Sequence, residues 1–376
     1  MKRCSSHRGE SGSISRPRAR EFGLPFWGLT PGPLNAITDV SGVRVGHTTL
    51  IAGEGSQAVR TGVTAILPHG DNIFREKVVG AVHTINGFGK PMGFEQVREL
   101  GVIESPICLT NTLNVGLVAD ALVAWSLQRN LDIGVRTGTM NPLVGECNDG
   151  YLNDIRGRHV RAEHVWAALE GAQSGPVAEG NVGAGTGMSA FGFKGGVGTA
   201  SRVVSDRYGG FTVGVLVVAN FGYREQLLIA GVPVGQVLAD WSGEEPGDEG
   251  SIMIVLATDA PLSARQLLRV ARRTAHGLAR TGSTATNGSG DFTIAFSTAQ
   301  RVPHYPRALV RQMHCLAEDG PAINALFQAT VEATEEAVLN ALFRAETMTG
   351  RDGHVRYALP LERVADILRE HGLDVA

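Results

Sequence analysis

The sequence predicts a one-domain fold of the α+β or layered α/β class, built around a mixed sheet. Apolar, β-branched runs of strand length recur along the chain, and so do segments with apolar residues at helical spacing. The two kinds of segment do not alternate strictly, which argues against a doubly wound parallel sheet. With 376 residues, 43% of them hydrophobic and only 19% charged, the chain can bury a sizeable core.

The individual elements follow from their composition and from the residues that end them. Strands are predicted where apolar residues are bounded by glycine, proline or polar residues, at 42–49, 61–67, 78–85, 106–110, 211–220, 251–258 and 292–296. Helices are predicted at 94–100, 115–127, 161–172, 322–346 and 361–371, and from a cap at Ser263 to about residue 280. Residues 134–151 have little periodicity, and the acidic, glycine-containing segment 240–250 is the best linker candidate.

The N-terminal end and the overall composition exclude several classes of protein. Residues 1–17 are rich in arginine, serine and glycine but lack the apolar segment of a secretory signal, so a disordered basic tail is expected. No apolar run approaches the roughly 20 residues of a membrane span, so no membrane partner is expected. A net charge of −3 gives no reason to expect nucleic acid as a partner. The default expectation is a cytoplasmic enzyme.

Neither a metal nor a cofactor is expected. The four cysteines form no CxxC pair, and the eleven histidines form no HExxH motif. Gly183, Gly185 and Gly187 give GxGxG rather than the GxGxxG of dinucleotide sites, and Lys194 lacks the context of a phosphate-binding loop. The glycine-rich passage 180–198 is expected instead to provide close backbone packing, or backbone amides that face a substrate.

The dipeptide Gly250-Ser251 lies at the start of a predicted buried strand. The Ser251 hydroxyl can attack the Gly250 carbonyl through a five-membered ring, and hydrolysis of the resulting ester would make Ser251 a new N-terminus. Its α-amine would titrate at about 8 and could act as a base for its own hydroxyl. A turn before an ordinary strand is the alternative interpretation of these two residues.

Four more polar residues are candidates for a site. Ser289 and Asp291 are two positions apart, so in an extended segment both face the same side and could supply a hydroxyl and a carboxylate. Asn220 ends a predicted strand and could donate to an oxyanion, while Glu146 could receive a substrate ammonium. A polar turn, a satisfied loop amide and a solvated loop acid are the respective structural alternatives.

Several long motifs together resemble the L-aminopeptidase/D-esterase family of self-processing serine aminopeptidases, whose relatives include the β-peptidyl aminopeptidases. The motifs lie at 18–26 (RAREFGLPF), 34–47 (LNAITDVSGVRVGH), 145–150 (GECNDG), 180–188 (GNVGAGTGM), 193–198 (FKGGVG) and 250–253 (GSIM). The resemblance covers nearly the whole chain from about Arg16 onward.

The resemblance implies a four-layer αββα sandwich, similar in architecture to the N-terminal nucleophile hydrolases but with different connectivity. It implies one catalytic domain, 18–376, in a chain that cleaves itself into an α chain of residues 1–250 and a β chain of residues 251–376. The roles that it implies are a nucleophile at Ser251, proton movement by Ser289 and Asp291, an oxyanion donor at Asn220 and an amine anchor at Glu146. The β-peptidyl members carry Glu where this chain has the shorter Asp291.

The implied reaction is release of N-terminal amino acids from peptides, amides and esters through an acyl-enzyme. D-alanyl esters or amides and β-peptides are alternative substrates within the family, and a homo-oligomer, a tetramer of αβ units, is the implied assembly. An ornithine acetyltransferase is a rival assignment, although such enzymes cleave themselves before threonine and this chain has Ser251. A non-enzymatic glycine-rich binding protein, with an intact Gly250-Ser251 bond, is the other rival.

Overall fold

The computed structural model describes residues 16–26, 28–241, 250–306 and 308–375. Residues 1–15 of the predicted tail and most of the linker candidate at 240–250 lie outside this range. Arg16, which the prediction placed in the tail, is anchored to the C-terminal part of the chain. Its guanidinium donates to the carbonyl oxygens of Phe343 and Leu359 at 2.8 and 2.6 Å. The fold therefore includes a residue that the sequence assigned to the segment before the domain.

The elements of the described residues are numbered in chain order. The strands are β1 (Arg44–Ala52), β2 (Val59–Leu67), β3 (Glu76–Gly87), β4 (Val102–Ile103), β5 (Ile107–Asn111), β6 (Leu143–Cys147), β7 (Ser189–Ala190), β8 (Phe193–Lys194), β9 (Gly196–Val203), β10 (Thr212–Asn220), β11 (Ser251–Thr258), β12 (Gly290–Pro303), β13 (Met348–Thr349) and β14 (Val355–Arg356). The α-helices are α1 (Phe94–Leu100), α2 (Val115–Arg129), α3 (Ala162–Glu170), α4 (Val234–Val237), α5 (Ala264–Ala271), α6 (Thr274–Arg280), α7 (Ala322–Arg344) and α8 (Leu361–Glu370).

The long strands form two mixed sheets. The first has the order β1-β2-β5-β6, with β5 and β6 parallel and the other pairs antiparallel. The second has the order β4-β3-β12-β11-β10-β9, and β11 and β12 are its parallel pair. The predicted mixed-sheet architecture is thus confirmed.

Three apolar clusters show how the sheets and helices are stacked. The inner faces of the two sheets pack on each other through Val45, Leu109 and Leu143 from the first sheet and Leu216, Met253 and Ile294 from the second. The outer face of the first sheet packs on α2 and α3 through Val63, Ala65, Val118, Leu122 and Val165. The outer face of the second packs on α5 and α7 through Val217, Ile254, Leu267 and Ala333. The molecule is therefore a four-layer αββα sandwich, as the resemblance implied.

Seven strands of the described residues were not predicted: the two-residue strands β4, β7, β8, β13 and β14, and two longer ones, β6 and β9. The segment 134–151 contains β6, whose five residues are all buried, so that no alternation of apolar and polar residues marks it. The strand β9 begins at the end of the glycine-rich passage, runs on to Val203 and packs directly under α7. A Cβ on Gly198 would lie 2.0 Å from the carbonyl oxygen of Ala337, so only glycine permits this approach. The expectation of close backbone packing in this passage matches what is observed.

The helix predicted from Ser263 to about residue 280 is divided into α5 and α6. Ser263 does cap it, since its hydroxyl accepts a hydrogen bond from the backbone N–H of Gln266. The division comes at Thr274, whose hydroxyl donates to the carbonyl of Ala271 at 2.7 Å and also lies 2.7 Å from the hydroxyl of Thr293 in β12. A side chain that bonds the preceding turn in this way competes with the regular helical pattern.

Candidate active site

Ser251 is the first residue of β11 and is only 3% exposed. It lies opposite Asn220, the last residue of β10, and opposite Gly290, the first residue of β12. The register of the second sheet therefore brings the end of β10 and the starts of β11 and β12 together at one edge of that sheet. The predicted pair Ser289 and Asp291 flanks Gly290 and is brought to the same place.

Two nitrogen donors point at the Ser251 hydroxyl oxygen. The side-chain amide of Asn220 contributes Nδ2 at 3.4 Å, and the backbone N–H of Asn148 contributes the second donor at 3.3 Å. The orientation of the Asn220 amide is fixed because its Oδ1 accepts a hydrogen bond of 2.8 Å from the backbone N–H of Ser189. An acyl-transfer site needs paired donors close to its nucleophilic oxygen, because the carbonyl oxygen of the substrate becomes an oxyanion when it is attacked.

Ser289 and Asp291 form a buried hydrogen-bonded pair. The Ser289 hydroxyl donates to Asp291 Oδ1 at 2.6 Å, and Oδ2 of the carboxylate has no hydrogen-bond partner among the described residues. Burial raises the pKa of Asp291 to about 6, although the hydrogen bond from Ser289 opposes this shift. The group is therefore a carboxylate at neutral pH that takes up a proton under mildly acidic conditions.

The bond between Gly250 and Ser251 lies against this pair. A Cβ on Gly250 would be 3.3 Å from Ser289 Oγ and 3.2 Å from the Cα of Phe221, so a larger residue would crowd the hydroxyl. The carbonyl oxygen of Gly250 accepts a hydrogen bond of 3.2 Å from the backbone N–H of Gly290. This donor polarises the carbonyl next to the Ser251 hydroxyl.

Glu146 is a buried residue of β6 rather than a solvated loop acid, and it is 3% exposed. Its Oε1 accepts from the backbone N–H of Lys90 at 2.8 Å, and its Oε2 accepts a short hydrogen bond from the Thr112 hydroxyl. A small cavity of about 80 Å³ is lined by Glu146 and Ser251 together with Phe88, Lys90, Thr112, Asn148, Gly250 and Gly288. The carboxylate and the hydroxyl thus face one cavity.

Cys147, next to Glu146, carries a thiol near Ser251 that could in principle act as a nucleophile. Its Sγ lies 3.5 Å from the carbonyl oxygen of Val218, and the residue is fully buried. Burial raises the pKa of the thiol well above its ordinary value. A thiol that stays protonated is a poor nucleophile, so Ser251 is the group suited to attack.

Lys194 is buried within the fold and is not directed at a phosphate site. Its ammonium donates to the carbonyl oxygens of Gly185 and Gly195 at 3.1 and 2.8 Å. Burial lowers the pKa of this amine to about 7, and the buried Asp149 opposes the shift. Both hydrogen bonds tie the glycine-rich passage together, which fits the packing role expected for it.

A four-layer sandwich with a hydroxyl residue at the start of an inner strand is typical of hydrolases whose nucleophile is the first residue of a strand. Such a site needs a nucleophile, donors for an oxyanion and a carboxylate, and the register brings Ser251, Asn220 and Asp291, which carry groups of these kinds, to one edge of the sheet. Within the described ranges, no three His, Cys, Asp or Glu side chains cluster so as to hold a metal ion. In the same ranges, none of the helices has both the length and the apolar composition to span a bilayer.

Comparison with known proteins defines the family. The profile of peptidase family S58 matches residues 35–356, and the chain belongs to this family of aminopeptidases. The β-peptidyl aminopeptidase BapA of Sphingosinicella xenopeptidilytica is 46% identical over 95% of this chain and 92% of its own length. The protein of the same name from Sphingosinicella microcystinivorans is 44% identical over 96% and 93%.

Solved structures agree with the fold described above. The L-aminopeptidase D-Ala-esterase/amidase of Ochrobactrum anthropi, described as a variant of the Ntn hydrolase fold, superposes with a TM-score of 0.89 at 43% identity, over 95% of this chain and 99% of that one. A β-aminopeptidase of Burkholderia sp. gives 0.88 at 45% identity, over 95% and 100%. The protein PH0078 of Pyrococcus horikoshii OT3 gives 0.90 at 54% identity, over 95% and 99%. The architecture predicted from the resemblance is confirmed.

Sequence reasoning missed three parts of this site. The backbone donors of Asn148 and Ser189 carry no side-chain signal, although Asn148 belongs to the polar group around Glu146. The Thr112 hydroxyl comes from the segment between β5 and α2, far from Glu146 in the sequence. Only the pairing of β5 with β6 brings these two residues together.

Proposed function

We propose that this aminopeptidase works through Ser251, whose hydroxyl attacks the carbonyl of the substrate's first residue to form an acyl-enzyme. The observation that carries the proposal is the convergence of the Asn220 and Asn148 donors on Ser251 Oγ. A carbonyl oxygen that becomes an oxyanion beside this atom would be met by both donors. A donor of this kind is typically worth about 3–4 kcal/mol of transition-state stabilisation.

The nucleophile is proposed to arise by self-cleavage. Ser251 Oγ attacks the Gly250 carbonyl carbon, the C–N bond breaks, and an ester with a free Ser251 amine results. Water then hydrolyses the ester to give an α chain of residues 1–250 and a β chain of residues 251–376. The hydrogen bond from Gly290 N–H to the Gly250 carbonyl supports this proposal, because it would stabilise the oxyanion of the first step.

Proton movement is assigned to groups at the same edge of the sheet. In the mature enzyme the free amine of Ser251, or the Ser289 hydroxyl, takes the proton of the attacking hydroxyl. The Asp291 carboxylate then supports the positive charge or the proton relay, since it is hydrogen-bonded to Ser289. The same groups return the proton to the leaving amine.

The requirement for a free substrate amine is assigned to Glu146. A carboxylate facing the cavity of Ser251 can make a charge-assisted hydrogen bond with a substrate ammonium. An N-acetylated substrate would leave this buried charge unpaired. The proposed substrates are therefore L-amino-acid amides, peptides and esters with a free amino terminus, D-alanyl esters or amides included.

Release of β-amino acids is the second candidate function. The relatives at 46% and 44% identity carry the name β-peptidyl aminopeptidase, and this identity extends over nearly the whole chain. A β-residue places one more carbon between ammonium and carbonyl, so the spacing of Glu146 and Ser251 would select between the two substrate classes. Hydrolysis rates of matched α-L, α-D and β-aminoacyl p-nitroanilides would rank the candidates directly.

We also propose that the protein assembles as a homo-oligomer, a tetramer of αβ units. Two neighbouring loops, joined by a hydrogen bond between Tyr305 and Asp132, support it because they expose large apolar side chains. The exposed residues are Leu131, Val135, Tyr305, Leu309, Val310 and Met313. Exposed apolar patches of this kind commonly mark protein contacts.

Intact-mass analysis of the purified full-length protein tests the nucleophile and the cleavage together. Two fragments beginning at residue 1 or 2 and at Ser251 are expected, along with hydrolysis of an aminoacyl p-nitroanilide. Ser251→Ala should abolish both. Ser56→Ala, at the exposed Gly55-Ser56 dipeptide, is the matched control and should leave both unchanged. A wild-type protein that hydrolyses the substrate as one uncut chain would overturn the cleavage proposal, and an active Ser251→Ala variant would overturn the nucleophile.

A further inference from the structure

Arg356, the last residue of β14, is a buried cation that contacts two separate segments beside the candidate active site. The residue is 1% exposed. It touches Ser189, in the glycine-rich passage, and Tyr151, in the loop after β6. Ser189 is hydrogen-bonded to Asn220, and Tyr151 lies three residues after Asn148 in the chain. Asn220 and Asn148 are the residues whose N–H groups face Ser251.

The first connection runs through Ser189 to the side-chain donor. Arg356 Nε donates to the Ser189 hydroxyl at 3.1 Å. The backbone N–H of Ser189 then donates to Oδ1 of Asn220 at 2.8 Å, which leaves Nδ2 of that amide directed at Ser251 Oγ. Arg356 thus holds the residue that sets the orientation of the Asn220 amide.

The second connection runs through Tyr151 to the backbone donor. The guanidinium carbon of Arg356 lies 3.5 Å from the centroid of the Tyr151 ring, and the His354 ring stacks on Tyr151 at 4.6 Å and 17°. Tyr151 lies three residues after Asn148 in the loop that follows β6, and in this loop the Asn148 side chain accepts from the backbone N–H of Gly150 at 2.9 Å. The ring contacts therefore fix the loop from which the Asn148 N–H reaches Ser251.

We propose that Arg356 is a positioning residue for both oxyanion donors, acting through Ser189 on Asn220 and through Tyr151 on the loop of Asn148. This inference rests on the proposed role of Ser251 as nucleophile. A planar guanidinium can donate in its plane and stack with its face at the same time, which an ammonium cannot do. If the chain is cut before Ser251, Arg356 belongs to one fragment and all four residues that it organises belong to the other.

The position of the donors matters because oxyanion stabilisation depends on fixed geometry. A supporting shell that lets donors move by even 1 Å can cost about 100-fold in rate. The contacts of Arg356 act on the transition state rather than on the substrate's ammonium, which Glu146 is proposed to bind. Loss of Arg356 should therefore lower kcat more than it changes KM.

The experiment compares the wild type with Arg356→Met and Arg356→Lys in the full chain. Acylatable Ser251 is first counted with a serine-directed sulfonyl fluoride, so that rates refer to competent sites only. We expect kcat for an aminoacyl p-nitroanilide to fall by about 10- to 100-fold in both variants, with KM within about 3-fold of the wild type. Affinity for an amino aldehyde, whose hemiacetal mimics the oxyanion, should fall by the same factor as kcat. Affinity for the free amino-acid product should not change.

Arg202→Lys is the matched control, because Arg202 is also buried but is paired with Glu332 and Glu336 away from Ser251. It should lower thermal stability and leave kcat per competent site unchanged. An equal loss of kcat in Arg202→Lys and Arg356→Lys would assign Arg356 a merely structural role and overturn the inference. So would an unchanged kcat in Arg356→Met, or equal losses of aldehyde and product affinity.

Ser189→Ala keeps the inference testable if the Arg356 variants do not fold. It removes the hydroxyl that Arg356 contacts and retains the backbone N–H that orients Asn220, so kcat should fall by about 3- to 10-fold at constant KM. An unchanged kcat in this variant would overturn the inference. Failure of the proposed function is a distinct result, because the wild type itself would then show no acylation of Ser251.

Discussion

The Ser289 hydroxyl and the Asp291 carboxylate are joined by a hydrogen bond of 2.6 Å at the start of β12. Both residues face the same side because they are two positions apart in extended backbone. The carboxylate is buried, and burial raises its pKa to about 6. The Asp291 side chain is therefore long enough to reach the Ser289 hydroxyl, as the proposed proton relay requires.

Asp291 should produce the acidic limb of the pH profile. Its pKa in the folded enzyme lies above the usual value, so the group becomes protonated as pH falls through about 6 and can no longer support proton transfer. The kcat/KM of the wild type should therefore rise with pH through about 6. Asp291→Asn should lower kcat/KM by about 100-fold or more and remove this limb. A wild-type limb that persists unchanged in Asp291→Asn would assign the titration to another group.

Asp291→Asn should also alter stability with a predictable sign. A carboxyl group whose pKa is raised on folding binds protons more tightly in the folded state, so its ionisation destabilises the fold as pH rises through about 6. Removing the charge should therefore increase the free energy of unfolding at pH 8 relative to the wild type. Denaturant unfolding at pH 8 and at pH 4 would check this, with the difference between the two proteins smaller at pH 4.

Asn220 should contribute through its amide donor alone. Asn220→Asp has the same shape but replaces Nδ2 with an oxygen that repels an oxyanion, and kcat should fall by about 100- to 1,000-fold with little change in KM. Asn130→Ala is a suitable control, because Asn130 is a buried asparagine bonded to Ser126 and Asn72 away from the site. Steady-state kinetics on one amide substrate would separate the two. Retention of more than a tenth of kcat in Asn220→Asp would argue against the oxyanion role.

The sequence was sufficient to predict most of the elements, because their signals are local. The strand that starts at Ser251 and the helix 94–100 have the predicted bounds, since a glycine-bounded apolar run and a short amphipathic segment mark their ends. The strand β6 was not predicted, because all of its side chains are buried and two of its five residues, Gly145 and Glu146, disfavour strands in isolation. Glu146 was consequently assigned to a loop.

The candidate site depended on information that local patterns do not contain. Asn220 and Ser251 meet through the register of β10 with β11, and Asn148 reaches Ser251 from the other sheet. Periodicity cannot specify which strands pair over such distances along the chain. The grouping of the candidate residues therefore came from the resemblance to a family. The two backbone donors and the Arg356 contacts became visible only with the fold.

Gly198 should show how closely β9 and α7 approach each other. A Cβ at this position would lie 2.0 Å from the carbonyl oxygen of Ala337, so Gly198→Ala must move the helix or the strand. Overpacking of this kind typically costs about 1–3 kcal/mol of unfolding free energy. Gly116→Ala is the matched control, since it lies in α2 with open space around it and should gain about 0.5–1 kcal/mol. Equal unfolding free energies for the two variants would contradict the close contact.

Glu146 should act on substrate recognition rather than on the chemical step. Glu146→Gln keeps the size and the acceptor for the Lys90 N–H but removes the negative charge that pairs with a substrate ammonium. We expect KM for a free-amine substrate to rise by about 10-fold or more, with kcat reduced less, because a charge-assisted hydrogen bond is worth roughly 1.5–3 kcal/mol.

Two comparisons make the test of Glu146 specific. Hydrolysis of an N-acetylated substrate is expected to be slow in the wild type and should be unchanged or faster in Glu146→Gln, because no buried charge is then left unpaired. Glu104→Gln alters another buried glutamate, which pairs with Lys77 at 3.3 Å away from the cavity, and should leave both KM values unchanged. If Glu146→Gln weakened the free-amine and the acetylated substrates equally, the carboxylate would be a structural residue of β6 and the amine specificity would have to reside elsewhere in the cavity.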